Sequence, residues 1–229
     1  PCKFRDKGVV PQDVFMELSV NERIVGFTLA EFEENEQREL LFFTKLGFVK
    51  KTNYNEYNTV KSYLQAIKVR DDDELIKVEF EDATKDLIFV TEQGQVLLAT
   101  KDDVPQQGRV SGGVRGVSLY DGDNLLYADI TDGKGEIALA TEQGLGKRVV
   151  ISQIPKTARY RKGVRLILLG AGDKVTFAEC VQKSDELVLI TDLENKGINA
   201  DKIGILPREK KGASIRGVNR VTAGFVNRK

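Results

Sequence analysis

A module of about fifty residues repeats in tandem, and it restricts this chain to an array of like units. The clearest copy, residues 86–98, holds the apolar run Leu87-Ile88-Phe89-Val90, an anchor Thr91 and two polar residues. Gly94 and a second apolar run, Val96-Leu97-Leu98, complete it. The pattern returns at 136–144, occurs earlier at 39–50, and survives in worn form at 186–193. The anchor threonines fall at 44, 91, 141 and 191, giving spacings of 47, 50 and 50 residues. A fixed period of that size signals a solenoid, a propeller or an array.

Each copy reads as a β-hairpin. The residues before the threonine are β-branched, aromatic or leucine, which suit a pleated buried surface. The runs are too short for helices and lack a 3.6-residue period. The glycine after the polar pair suits a short hairpin loop.

A second half follows each hairpin. It reads Gly113-Val114-Arg115-Gly116-Val117-Ser118-Leu119, then Gly122-Asp123 and Leu125-Leu126-Tyr127. Fifty residues on it reads Gly163-Val164-Arg165-Leu166-Ile167-Leu168-Leu169, then Gly172-Asp173 and Val175-Thr176-Phe177. A divergent copy carries Asp73, and a truncated one is Ser214-Ile215-Arg216-Gly217-Val218. The repeating aspartates read as turn residues. Each repeat thus supplies about four short strands, the content of one propeller-type blade. The expected class is all-β.

The expected organisation is a half-blade over 1–38 and repeats over 39–85, 86–134, 135–184 and 185–229. In the half-blade, Val14-Phe15-Met16-Glu17-Leu18 and Arg23-Ile24-Val25-Gly26-Phe27 read as strands, with Glu22 in the place of the aspartate. The acidic stretch 31–36 reads as a solvated linker. Opening on Pro1, the chain reads as a piece of something longer.

Several chemistries find no support. There is no histidine, which removes imidazole catalysis and histidine metal ligation. Cys2 and Cys180 have no metal-site spacing, and a reducing compartment is the simplest setting. Ser111-Gly112-Gly113-Val114-Arg115-Gly116 lacks the lysine and hydroxyl of a phosphate-binding loop and recurs with the repeat. Asp71, Asp72 and Asp73 read as a solvated turn. No apolar run approaches the length of a membrane helix. No cofactor, metal or small-molecule substrate is expected.

Charge is balanced in total, with 35 basic and 35 acidic residues, but it is segregated along the chain. Between Gln143 and Gly172 there are seven basic residues and no acid. Between Lys45 and Arg70 there are six, against Glu56 alone. From Lys196 onward there are nine, against Asp201 and Glu209. In every repeat the basic residues follow the hairpin's second strand. Rotation of the repeats would set these loops on one rim, a footprint that fits a polyanion backbone. Base-specific reading is not expected, because the sequence shows no recognition helix and no ladder of stacking aromatics.

Two stretches carry a family resemblance. One is Thr44-Lys45-Leu46-Gly47-Phe48-Val49-Lys50-Lys51-Thr52 with Tyr54-Asn55-Glu56-Tyr57. The other is Gly108-Arg109-Val110-Ser111-Gly112-Gly113-Val114-Arg115-Gly116-Val117. Both resemble the C-terminal β-pinwheel domain of bacterial type IIA topoisomerase A subunits, and the likeness extends from the opening half-blade to about Val218. It implies four-stranded blades that exchange strands, with double-stranded DNA bending around a basic outer rim. The A subunits of DNA gyrase carry a Gln-Arg-Arg-Gly-Gly-Lys-Gly box. The corresponding segment here is Asn58-Thr59-Val60-Lys61-Ser62-Tyr63-Leu64-Gln65, and the box occurs nowhere else. The resemblance is therefore closer to topoisomerase IV.

The resemblance implies a cytoplasmic, nucleoid-associated domain that is not itself catalytic. Its partners would be DNA, the rest of the A subunit, and the ATPase B subunit reached through it. None of the six tyrosines would be the cleavage nucleophile. The expected phosphate contacts are Lys50, Lys51, Lys61, Arg109, Arg115, Lys147, Arg148, Arg159, Arg161, Lys162, Arg165 and Arg216. The alternatives are a DNA-wrapping gyrase domain and a propeller that binds a protein partner.

Overall fold

The structure, a computed structural model, describes residues 7–16, 18, 19, 21–26, 37–61 and 63–228. Among the described residues, sixteen strands follow one another. The first repeat holds β1 (Glu39–Thr44), β2 (Phe48–Asn53) and β3 (Leu75–Phe80). The second holds β4 (Asp86–Thr91), β5 (Gln95–Ala99), β6 (Val114–Arg115) and β7 (Leu125–Thr131). The third holds β8 (Glu136–Thr141), β9 (Leu145–Val150), β10 (Lys156–Thr157), β11 (Val164–Arg165) and β12 (Val175–Val181). The fourth holds β13 (Glu186–Thr191), β14 (Asn195–Asn199), β15 (Ala213–Ser214) and β16 (Val221–Asn227).

The apolar run before each anchor threonine is the middle strand of a small antiparallel sheet. Its two flanks are the hairpin's second strand and the long third strand of the same repeat. A fourth strand comes from the next repeat. β6 of repeat two pairs with β2 of repeat one, through Phe48–Arg115 and Val49–Val114. β10 and β11 of repeat three pair with β5 of repeat two. β15 of repeat four pairs with β9 of repeat three. The result is four propeller-like blades linked by strand exchange, the last holding only β14, β13 and β16.

The middle strands β4 and β8 are buried on both faces, which explains their unbroken apolar runs. Leu87 and Phe89 pack with Leu41 and Phe43 of the first blade. Ile88 and Val90 point the other way, to Ile137 and Leu139 of the third. Ala138 and Ala140 face Leu187 and Leu189 of the fourth. Phe43 and Phe89 meet edge to face, with ring centroids 5.9 Å apart. Burying one such side chain is worth about 1.5–3 kcal/mol, so the blade-to-blade cores hold the array together.

The anchor threonine and the repeating aspartate close each hairpin. The Oγ1 atoms of Thr44, Thr91 and Thr141 accept from the N–H groups of Phe48, Gln95 and Leu145. The Oδ1 atoms of Asp73, Asp123 and Asp173 accept from Leu46, Gln93 and Gln143, at 2.8–3.1 Å. The aspartate is thus a turn residue that reaches back 27–30 positions to brace its own blade's hairpin. In the fourth repeat the turn is rebuilt, and the Thr191 hydroxyl bonds within 192–194 instead.

The N-terminal half-blade departs from expectation. Residues Pro11–Val14 form one helical turn, and the described part of 15–26 forms no strand. Val14, Phe15, Met16 and Ile24 are exposed, and among the described residues no strand pairs with their backbone. Arg23 reaches Glu74 at 3.0 Å. Glu17, Phe27 and the acidic stretch 31–36 lie outside the described residues.

Two glycines separate backbone conformation from crowding. Gly163 and Gly172 have φ of +75° and +70°. A Cβ on Gly163 would lie 2.2 Å from the Val96 carbonyl oxygen, whereas one on Gly172 would meet nothing within 4 Å. Gly172→Ala should cost about 1 kcal/mol, the left-handed penalty alone. Gly163→Ala should cost about 3 kcal/mol or more, because the exchanged strand must move off its acceptor. Urea unfolding of the two variants measures the difference.

Candidate nucleic-acid interface

The exchanged segments touch one another in series. The N–H of Lys68 donates to Ser111, that of Ser118 to Arg161 and that of Leu168 to Lys210, at 3.0–3.2 Å. An arginine fastens each junction. Arg109 donates to the Gln65 carbonyl, Arg159 to the Arg115 carbonyl at 3.0 Å, and Arg208 to the Arg165 carbonyl at 3.2 Å. Residues 63–70, 107–118, 157–168 and 207–218 therefore form one continuous belt along the exchanged edge of the blades.

The opposite edge differs in charge. There the third strands of neighbouring blades meet, through Lys77–Asp129 at 2.7 Å, the Cys180 N–H on the Tyr127 hydroxyl, and the Val226 N–H on Glu179. Burial raises the Glu179 pKa. Glu79, Asp129 and Glu179 lie on this edge, while the belt holds no acid over 107–118 or 157–168. Over 207–218 its one acid, Glu209, pairs with Arg208 at 2.9 Å. The segregation seen along the sequence becomes a segregation in space.

Six of the twelve expected contact residues stand exposed on or beside the belt: Lys61, Arg115, Arg161, Lys162, Arg165 and Arg216. None of them is ion-paired among the described residues. The other six are spoken for and are corrected here. Lys51 is held between Glu39 at 3.3 Å and Glu81 at 3.6 Å. Arg109 and Arg159 are the junction clips described above. Arg148 is buried, ion-paired with Glu136 and bonded to the Ile203 carbonyl at 2.7 Å.

Lys50 and Lys147 are fully buried beneath the belt. The Lys50 ammonium donates to the carbonyls of Ala66 and Arg109, and it sits 4.7 Å from the Phe42 ring. The Lys147 ammonium donates to the carbonyls of Pro207, Arg208 and Lys210, each at 2.9 Å. Burial pulls both ammonium groups down to a pKa of about 8. They anchor belt loops from below and offer nothing to a ligand outside. In the second blade Leu97 takes this position, and a cavity of about 490 Å³ lies under the loop, lined in part by Leu97, Ala158 and Gly163.

Four further cations counted in the basic stretches of the sequence also reach the belt. Lys68, Arg70, Lys210 and Lys211 add exposed cations to it. The register of 68 with 118 and 168 is the sequence signal that finds Lys68. An interleaved row of cations and aromatics also forms, against expectation. Arg70 and Arg115 flank Phe48 at 3.5 and 5.4 Å, Arg115 lies 5.4 Å from Tyr160, and Lys162 lies 3.8 Å from Tyr120. These residues come from three repeats, so no local pattern reveals the row.

The profile of the DNA gyrase C-terminal domain, beta-propeller, matches residues 38–80, 85–132 and 135–182. The DNA gyrase A subunit of Clostridium acetobutylicum is 37% identical over 103 residues, 44% of this chain and 12% of that protein. The same subunit of Helicobacter pylori J99 is 35% identical over 102 residues, 43% of this chain and 12% of that protein. The matched stretch thus amounts to about an eighth of these relatives' length. The crystal structure of the C-terminal domain of DNA topoisomerase IV superposes with a TM-score of 0.80 at 26% identity. That match covers 86% of this chain and 64% of that one. The DNA gyrase A C-terminal domain superposes at 0.78 and 20% identity, covering 97% and 75%, which speaks to fold alone.

The lysine anchors make a prediction about pH. Their folded pKa of about 8 lies below the ordinary 10.5, so the unfolded chain binds more protons between those values. Unfolding free energy therefore rises with pH across that window. Lys147→Met should show a shallower rise. At pH 7 it should lose about 2 kcal/mol or more, because three carbonyls lose their donor. Denaturant unfolding at pH 7 and pH 10, with amide exchange over 208–212, checks both effects.

Proposed function

Since this chain belongs to the DNA gyrase C-terminal domain, beta-propeller family, we propose that it holds and bends double-stranded DNA along its belt as part of a type IIA topoisomerase A subunit. The observation that carries the reading is the belt itself. Exposed cations from four repeats line one edge, while Glu79, Asp129 and Glu179 lie on the other. Lysine and arginine on such an edge meet phosphates, which fix position and carry no base sequence. Binding is then tolerant of sequence, and each blade adds a step along which the duplex can turn.

Within the family we favour the topoisomerase IV A subunit, with the domain steering the transported segment for decatenation and relaxation. The absence of a Gln-Arg-Arg-Gly-Gly-Lys-Gly box from the 229 residues supports this choice. The names of the curated relatives favour the second reading, the gyrase A subunit, whose domain wraps DNA. Closing nicked plasmid with ligase in the presence of the chain separates the two. A wrap leaves a net change in linking number, and a simple bend leaves none. In either case the domain does no chemistry itself and acts in the cytoplasm through the ATPase B subunit and the rest of its own polypeptide.

Mobility shift on a plain linear duplex tests the interface. With about six phosphates engaged, affinity should fall by roughly three decades between 50 and 200 mM salt. Reversing Arg161, Lys162 and Arg165 to glutamate should weaken binding more than tenfold and flatten the salt dependence. Arg159 is left in place because its loss would open a belt junction. Salt-insensitive affinity, or unchanged binding by the triple variant, would favour a protein-binding propeller instead.

A further inference from the structure

Tyr160 sits at the apex of the belt loop of the second blade with φ of +63°. Tyrosine takes that conformation only where its surroundings impose it. Here two backbone bonds impose it. The Tyr160 N–H donates to the Gly116 carbonyl at 2.6 Å, and the Ser118 N–H donates to Arg161 at 3.0 Å. The ring is nevertheless 54% exposed and packs into no apolar core. Its neighbours are cations: Arg159, Arg161 and Lys162 in the chain, and the Arg115 guanidinium 5.4 Å from its centroid. Tyr120, 43% exposed and two residues past the belt segment 107–118, has the Lys162 ammonium 3.8 Å from its ring.

A strained, solvent-facing ring backed by guanidinium and flanked by phosphate-binding charges fits one ligand better than any other, the face of a nucleobase. Stacking on an aromatic needs no sequence, because every base has a π-face. In an intact duplex those faces are covered by neighbouring pairs. They open where a base is bulged, unpaired or pried apart at a kink. We propose that Tyr160 and Tyr120, supported by Arg115 and Lys162, form a stacking platform on the belt that engages an unstacked base and gives the domain a preference for locally distorted duplex. The inference rests on the proposal that the belt binds DNA. It adds a readout of base-pair integrity to a surface otherwise limited to phosphate.

The test uses the 229-residue chain and two fluorescent 40-base-pair duplexes, one intact and one with a central two-nucleotide bulge. The chain should bind the bulged duplex roughly tenfold more tightly, the worth of about one stacked base. Tyr160→Phe should keep the preference. Tyr160→Gly relieves the backbone strain and keeps the loop, yet should bring the affinities for the bulged and the intact duplex to equality. A Tyr160→Gly variant that still prefers the bulge overturns the platform, as does equal affinity of the native chain for both duplexes. Binding to neither duplex overturns the belt reading and the platform together.

Discussion

An acceptor strand such as β2 exposes a row of backbone groups along its outer edge, and the residues that satisfy them belong to the next repeat. That obligation orders the whole array. On β2 two residue pairs suffice, Val114 and Arg115 on Val49 and Phe48, but they carry the chain outward across a neighbour before it returns to its own blade. The excursion creates the belt, and the belt is where the sequence keeps its positive charge. Side-chain clips and blade-to-blade cores then fix what the strand exchange begins.

Positive charge in this protein has two separate employments. Arg161, Lys162 and Arg165 face water. Lys50 and Lys147 lie beneath the neighbouring belt segments, each directing its ammonium to carbonyls that no strand reaches. A loop that bulges off a sheet edge leaves several carbonyls aimed inward, and a buried three-donor head can satisfy them together. Burial depresses the pKa of both heads, yet the arrangement stands because those carbonyls would otherwise lack donors.

Much of the fold was legible because the repeat is strict. Threonine anchors, hairpin glycines and reaching aspartates recur in register, and strand type follows from the apolar runs. The destination of Val114-Arg115 did not follow from the residues, since a two-residue strand bears no mark of which blade it completes. The described parts of the strands expected over 14–18 and 23–27 misled for a related reason. Val14 to Met16 has the composition of a strand, but composition does not supply a partner edge. At the candidate interface, counting cations picked loops that lie together on the belt, but six of the twelve residues are engaged within the protein. Lys50 and Lys61 look alike in sequence, and only the third dimension shows one capped by carbonyls and the other bare. The meeting of Phe48, Arg115 and Tyr160 depends on three repeats converging, which no single stretch encodes.

Interlocking also governs how the array bears tension. An outward pull on residues 107–118 loads a strand pair, the Arg109 clip and the Lys50 anchor at once. Because the segment runs on into the third strand of the next blade, the pull draws two blades together. The second blade has Leu97 and a cavity where its neighbours have ammonium, so its segment bears load through two exchanged strands and the Arg159 clip, with no buried anchor beneath.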